Sequence, residues 1–139
     1  MARPSFEEIE HTADWAIRVR GRDEAELLAS AARGMFSLAA ELSSLEPTCA
    51  VDVAVDAVDL DALLVDWLNE LLFLAEERGV VFTEFEVKSS AGEDGAYVRA
   101  TARGGEPADP PKLIKAATFG GLKVSRTAEG FEAEIVFDV

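Results

Sequence analysis

A chain of 139 residues, 49% of them hydrophobic, is long enough to form one domain with a core of ordinary size. Its 13 basic and 27 acidic residues give a net charge of −14, which argues against strong direct binding to nucleic acids or to anionic membranes. A single cysteine, Cys49, excludes an internal disulfide, and charged residues interrupt every apolar segment before it could span a membrane, so we expect a cytoplasmic protein.

The first clear pattern is an alternating run from Trp15 to Arg20, directly after the segment His11-Thr12-Ala13-Asp14. Its apolar residues share one face, as in a half-buried strand. The same two-residue period puts Asp14 on the polar side, directly before the strand begins. The simplest explanation for an aspartate at this point is that it forms a turn. Three arginines on the polar face could contact a phosphate or an acidic patch, although a solvated face explains them equally well: Arg18, Arg20 and Arg22.

A first helix is predicted from Asp23 to about Ala40, because apolar residues recur there at steps of three and four. Asp23 and Glu26 have the spacing of a capping box. In that motif the aspartate accepts from amides of the first turn, and the glutamate reaches back to the amide of the cap residue. The sequence therefore predicts where this helix begins.

A second, more apolar helix is predicted from Asp59 to Arg78. Asp59 is a good N-cap, and Gly79 supplies the left-handed residue at which helices commonly end. We expect Trp67 to lie in the core. Asn69 and Glu70 either cap a sheet edge or face a partner, and the sequence leaves both alternatives open.

Most of the remaining chain alternates with period two, as in strands with one buried face. Strands are predicted from Cys49 to Ala57, from Val81 to Lys88 and from Tyr97 to Arg103, and the turn-rich segment Ser89 to Gly95 predicts a hairpin between the last two. Such alternation favours an antiparallel or mixed sheet over a parallel one. We therefore predict an α+β fold with two main α-helices packed on the β-sheet, in a single domain over residues 1–139.

The last strand alternates from Phe131 to Val139, and the sequence stops while the pattern persists. This predicts that Asp138 and the terminal carboxylate of Val139 lie close together at a sheet edge. If Asp14 lies nearby, three oxygen donors converge and suit a hard cation such as calcium or magnesium. Spacing alone does not bring them together, so two unrelated surface aspartates remain the simpler interpretation from these residues.

Four blocks stand out at separate points of the chain: His11-Thr12-Ala13-Asp14, Asp66-Trp67-Leu68-Asn69-Glu70-Leu71-Leu72, Lys115-Ala116-Ala117-Thr118-Phe119 and Phe137-Asp138-Val139. Their order and spacing resemble the archease family over essentially the whole chain. The resemblance implies an accessory protein that is not itself an enzyme and that activates the RtcB-type RNA ligase of tRNA splicing and RNA repair. It implies that GTP is used through the ligase, whose active-site histidine becomes guanylylated, and that the activator permits repeated turnover.

The resemblance also implies site residues. The family binds a divalent cation through positions that correspond here to Asp14, Asp138 and Val139, and all three are intact. Their oxygen donors favour calcium or magnesium as that cation. Lys115 could contact a nucleotide phosphate or an acidic ligase residue, and a solvated lysine is equally plausible. His11 is, like Lys115, a candidate contact to the partner or to a nucleotide. A histidine here is more often a hydrogen-bonded structural residue than a ligand, although zinc could recruit it.

Two positions depart from the family pattern, because relatives commonly have tyrosine and histidine where this chain has Phe119 and Gly120. Two other classes of function stay open: a metal-dependent hydrolase that uses the paired aspartates, and a chaperone-like module that binds proteins. No nucleophile motif supports the hydrolase. The pairs Gly104-Gly105 and Gly120-Gly121 form no phosphate-binding motif and are predicted to be turns.

Overall fold

The computed structural model of the chain describes residues 5–9, 15–43, 45–118 and 124–139. Two helices and eight strands are found in this part of the chain. In chain order they are β1 (Ser5–Ile9), β2 (Trp15–Gly21), α1 (Glu24–Ala39), β3 (Cys49–Ala57), α2 (Leu60–Arg78), β4 (Val81–Gly92), β5 (Gly95–Gly105), β6 (Ala116–Thr118), β7 (Val124–Thr127) and β8 (Gly130–Asp138).

The strands form two antiparallel sheets. One has five strands in the order β1-β2-β8-β6, with β7 also paired to β8, and the other has the order β3-β5-β4. Helix α1 packs against β2 and β4, and α2 packs against β3 and β6, so each helix contacts both sheets. The buried side chains form one continuous core. The predicted α+β class is confirmed, and the sheets are antiparallel.

Helix α1 begins as predicted, but its capping contacts differ by one residue. The side chain of Asp23 accepts a 2.8 Å hydrogen bond from the amide of Glu26. Glu26 reaches back to the amide of Arg22, at 2.9 Å, and not to the amide of Asp23. The reason is that the Arg22 guanidinium also binds the Glu26 carboxylate, at 3.0 Å, and draws it one residue further back.

Helix α2 has the predicted ends. Asp59 accepts from the amide of Ala62 at 2.8 Å, and Gly79 adopts φ 67° and ψ 36° after the last turn. Trp67 is fully buried, and its indole N–H donates to the carbonyl oxygen of Leu28 on α1 at 2.9 Å. Its predicted place in the core is confirmed, and its hydrogen bond links the two helices. In the described residues neither helix combines the length and apolar character needed to cross a bilayer.

The β4–β5 hairpin is confirmed, with a shorter turn than predicted. After a register shift between Phe82 and Glu84, the strands pair without interruption up to Gly92 and Gly95, so Glu93 and Asp94 alone form the turn. The small residues 89–92 therefore belong to β4. The pattern missed this because residues 89–92 carry no large apolar side chain, and the buried positions at this end of the hairpin belong to β5, where Ala96 and Val98 lie in the core.

The interpretation of Gly104-Gly105 as a turn is wrong, because both residues lie in β5. Gly104 pairs with Cys49 of β3 on one side and with Phe82 of β4 on the other. A Cβ atom there would lie only 2.2 Å from the carbonyl oxygen of Val81. Glycine is needed at this position because three backbones approach closely. The second pair, at 120 and 121, lies outside the described residues.

Candidate functional site

Three chain segments meet at the C-terminal end of β8. Phe137 pairs with Trp15 at the start of β2, and on the other side Asp138 pairs with Ala116 at the start of β6. Just before β6, the backbone amide of Lys115 donates to the carbonyl oxygen of Asp138 at 2.8 Å. The prediction of a sheet edge is therefore wrong here, because β8 has a partner strand on each side. In the described part of the chain, β8 is open at its C-terminal end.

The alternation along β8 exposes Asp138. Phe137 is fully buried in the core, and the next side chain along an antiparallel strand points to the opposite face. Asp138 is accordingly exposed, and Val139 is 42% exposed. The oxygens of these two residues are hard donors of the kind that calcium and magnesium prefer. Their chemistry fits the predicted cation, whose binding here stays a prediction.

The remaining predicted members of the site lie outside the described residues. They are Asp14 and His11, together with the departures at Phe119 and Gly120. Within the described ranges, no group of three or more histidine, cysteine, aspartate or glutamate side chains is arranged to hold a metal ion. The convergence of Asp14 on Asp138 and Val139 therefore stays a prediction.

Two lysines, Lys112 and Lys115, lie on the segment that precedes β6. The side chain of Lys115 is exposed. The Nζ atom of Lys112 lies 5.4 Å from the centroid of the Trp15 ring, within cation–π range. The amide of Lys112 also donates to the carbonyl oxygen of Ala39, at 2.9 Å, which ties the segment to the end of α1. No pattern in the sequence indicates Lys112, because its partner lies far away along the chain.

Two polar side chains of α2 hold the short strands that pair with β8. The amide group of Asn69 accepts from Ala117 N–H at 2.8 Å and donates to the carbonyl oxygen of Ala117 at 3.1 Å. Asp61 accepts from Val124 N–H of β7 at 2.8 Å. The capping alternative is therefore confirmed for Asn69, whereas a partner contact by Glu70 stays a prediction. Sequence patterns do not reveal the role of Asp61, because an acidic residue in the first turn of a helix already has a local explanation.

The arginines of β2 are paired with carboxylates of neighbouring strands. Arg18 lies 2.8 Å from Glu7 of β1 and 3.4 Å from Glu132 of β8, and Arg20 lies 3.3 Å from Glu7. The hydrogen bond with Arg18 lowers the pKa of the Glu7 carboxyl, and the same bond raises the pKa of Arg18. Because their charges are compensated within the sheet, these arginines are better explained as a solvated polar face than as an anion site.

Comparison with known proteins gives a consistent family assignment. Residues 6–139 match the model of the archease protein family. The protein archease of Methanopyrus kandleri is 42% identical over 139 residues, with 96% of this chain and 99% of that protein covered. That of Pyrococcus furiosus is 34% identical over 140 residues, covering 96% of this chain and 98% of that protein.

Solved structures agree with the fold. The solution structure of Methanobacterium thermoautotrophicum protein 1598 matches with a TM-score of 0.83 and 30% identity, over 96% of this chain and 98% of that one. The crystal structure of a Thermotoga maritima protein, described as an archease and possible chaperone, matches with a TM-score of 0.66 and 23% identity, over 100% and 98% of the two chains. The family match and the identities together show that this chain belongs to the archease family.

Proposed function

We propose that this protein activates an RtcB-type RNA ligase, by raising guanylylation of the ligase's active-site histidine and permitting repeated turnover. The observation that carries the proposal is membership of the archease family across residues 6–139. The family name suggests an accessory protein. A strongly acidic chain with a net charge of −14 is suited to a partner with a basic surface, such as an enzyme that binds RNA. GTP then enters through the ligase, where the chemistry takes place.

We further propose that Asp14, Asp138 and Val139 together hold a divalent cation, calcium or magnesium. Support comes from the exposed carboxylate of Asp138 at the open end of β8. Chain connectivity adds to it, since Asp14 is one peptide bond from Trp15 and adjacent Cα atoms are about 3.8 Å apart. Trp15 in turn is the pairing partner of Phe137. When bound, the cation supplies positive charge that offsets the charge of a nucleotide triphosphate.

The chain's own residues would then position the cation and orient the groups around it. The carbonyl oxygen of Asp138 is held by Lys115 N–H, which fixes the main chain next to the carboxylate. The ammonium group of Lys115 is exposed and is suited to contact a phosphate or an acidic residue of the ligase. This end of the sheet would therefore present both a cation and the side chain of Lys115 to the ligase.

A chaperone-like role is the second candidate, because the Thermotoga maritima protein is described as a possible chaperone. One feature of this chain favours it. An open, largely apolar cavity of about 280 Å³ lies between the ends of the helices and the segment before β6, lined in part by Phe36, Leu72 and Ile114. Leu113 at this cavity is 63% exposed. Exposed apolar surface of this kind is typical of sites that bind other proteins.

The test of the proposal is a reconstituted ligation. The cognate RNA ligase is incubated with GTP, a divalent cation and RNA ends, with and without this protein, and both guanylylated ligase and ligated RNA per ligase molecule are measured. We expect guanylylation to rise and ligation to exceed one product per ligase only when this protein is present. If both quantities stay unchanged while the protein suppresses aggregation of an unfolded client, the chaperone-like role replaces the activator.

A further inference from the structure

The strand β6 depends on a side chain from α2. It has only three residues, pairs with β8 along one edge, and presents the backbone of Ala117 along the other. Both polar groups of Ala117 on that edge are bound by the single amide group of Asn69, at 2.8 and 3.1 Å. A side-chain amide carries both a donor and an acceptor, so it can bind a backbone N–H and a carbonyl oxygen at the same time. Asn69 thus replaces a neighbouring strand.

From β6 the connection to Asp138 is direct. Ala116 is the pairing partner of Asp138, and Ala117 is the pairing partner of Phe137. The residue before β6, Lys115, donates its amide to the carbonyl oxygen of Asp138 at 2.8 Å. The main chain is therefore held by β2 up to Phe137 on one side, and at Asp138 on the other side by a strand that Asn69 fixes in place.

The same helix offers a built-in comparison. Asp61 lies eight residues before Asn69, about 12 Å along the helix axis, and it also binds a strand amide, that of Val124 in β7. β7 pairs with Gly130 to Ala133, at the opposite end of β8 from Asp138. Both side chains accept a hydrogen bond from a strand N–H, but only the contacts of Asn69 lead to the candidate site.

We propose that Asn69 is a positioning residue for the cation site, an inference that rests on the function proposed above. Calcium requires oxygen donors at 2.3–2.6 Å, so a small displacement of one donor weakens binding. Without the Asn69 amide, two backbone groups of Ala117 lose their partners, and β6 no longer fixes the main chain at Asp138. Residues that orient metal ligands from behind commonly change metal affinity by 10–100-fold when they are replaced.

The test is a calorimetric titration of the full chain with calcium chloride, and separately with magnesium chloride. We expect Asn69→Ala to bind the cation at least tenfold more weakly than the unsubstituted protein. Asp61→Ala is the matched control and is expected to bind within threefold, although it too loses a bond between α2 and a strand. A merely structural role would affect both variants alike. Hydrogen exchange without cation adds a second readout, with faster exchange of the Lys115 amide expected in Asn69→Ala only.

A second variant, Asn69→Asp, provides the test if Asn69→Ala does not fold. Asn69→Asp keeps the acceptor for Ala117 N–H but sets a carboxylate oxygen against the Ala117 carbonyl, so weaker cation binding than in the unsubstituted protein is again expected. Unchanged cation affinity in whichever of these variants is folded overturns the role of Asn69 and leaves the proposed site intact. Absence of cation binding by the unsubstituted protein refutes the site itself, and with it this inference.

Discussion

Replacing Gly104 by alanine tests the most tightly constrained position of the three-stranded sheet. The added Cβ would lie 2.2 Å from the carbonyl oxygen of Val81 and 2.8 Å from the Cα atom of Phe82. Favourable contacts between heavy atoms require about 3.5 Å, so the strands must separate by roughly 1 Å. Both obstacles are backbone atoms and cannot be relieved by rotating a side chain. We therefore expect a loss near the upper end of the usual range for overpacking, about 3 kcal/mol.

Gly92 provides the matched control, because it lies in the same hairpin and a Cβ there would meet no atom of the described residues within 4 Å, at a φ that is not positive. Alanine there is expected to be neutral or to stabilise by about 0.5 kcal/mol, since it restricts the unfolded chain. The free energy of unfolding is measured by urea titration followed by circular dichroism. At roughly 3–4 °C per kcal/mol for a chain of this size, Gly104→Ala also lowers Tm by about 10 °C. A loss below about 1 kcal/mol for Gly104→Ala, or equal losses in both variants, would refute the close approach of strands as the reason for this glycine.

Two side chains of the helices allow further tests of stability. Trp67→Phe removes the 2.9 Å hydrogen bond to the Leu28 carbonyl oxygen and leaves a small void among fully buried residues. The free energy of unfolding, measured in urea, should therefore fall by about 2 kcal/mol. An unchanged urea midpoint would contradict this contact. The hydrogen bond from the Arg22 side chain lowers the pKa of Glu26. A carboxyl whose pKa is lower in the folded than in the unfolded state stabilises above the unfolded value, about 4.3, and this stabilisation is lost as the pH falls through the folded pKa. The unfolding free energy of Glu26→Gln, measured in urea between pH 2 and 7, should therefore fall less steeply below about pH 4.3 than that of the unsubstituted protein, and parallel curves would show that Glu26 contributes nothing to acid sensitivity.

The elements predicted well are those that local chemistry determines. Asp59 and Gly79 bound α2 because a cap and a left-handed residue act on their own neighbours. Gly104 shows the opposite case. Its lack of a side chain serves two strands that approach from elsewhere in the chain, so nothing in the adjacent sequence distinguishes it from a turn glycine.

The residues of the candidate site likewise fall into those that local sequence patterns predict and those that only the tertiary structure reveals. Parity along the last strand predicts an exposed Asp138, and the structure bears this out. Whether Asn69 caps a strand or faces a partner depends on what packs against α2, and only the tertiary structure places Ala117 there. Lys112 beside Trp15 is likewise a contact between distant segments. Alternation and capping motifs describe single elements, whereas these contacts arise from the way several elements assemble.

In the function we propose, the exposed carboxylate of Asp138 at the end of β8 serves activation of an RNA ligase. The most direct test of this role compares Asp138→Ala with Asp94→Ala in the ligase guanylylation assay, at saturating GTP and a fixed divalent cation concentration. Each variant removes one exposed aspartate and one negative charge, and Asp94 lies in the turn between β4 and β5. We predict that Asp138→Ala loses nearly all stimulation of guanylylation while Asp94→Ala retains it. Full stimulation by a folded Asp138→Ala variant would contradict the claim.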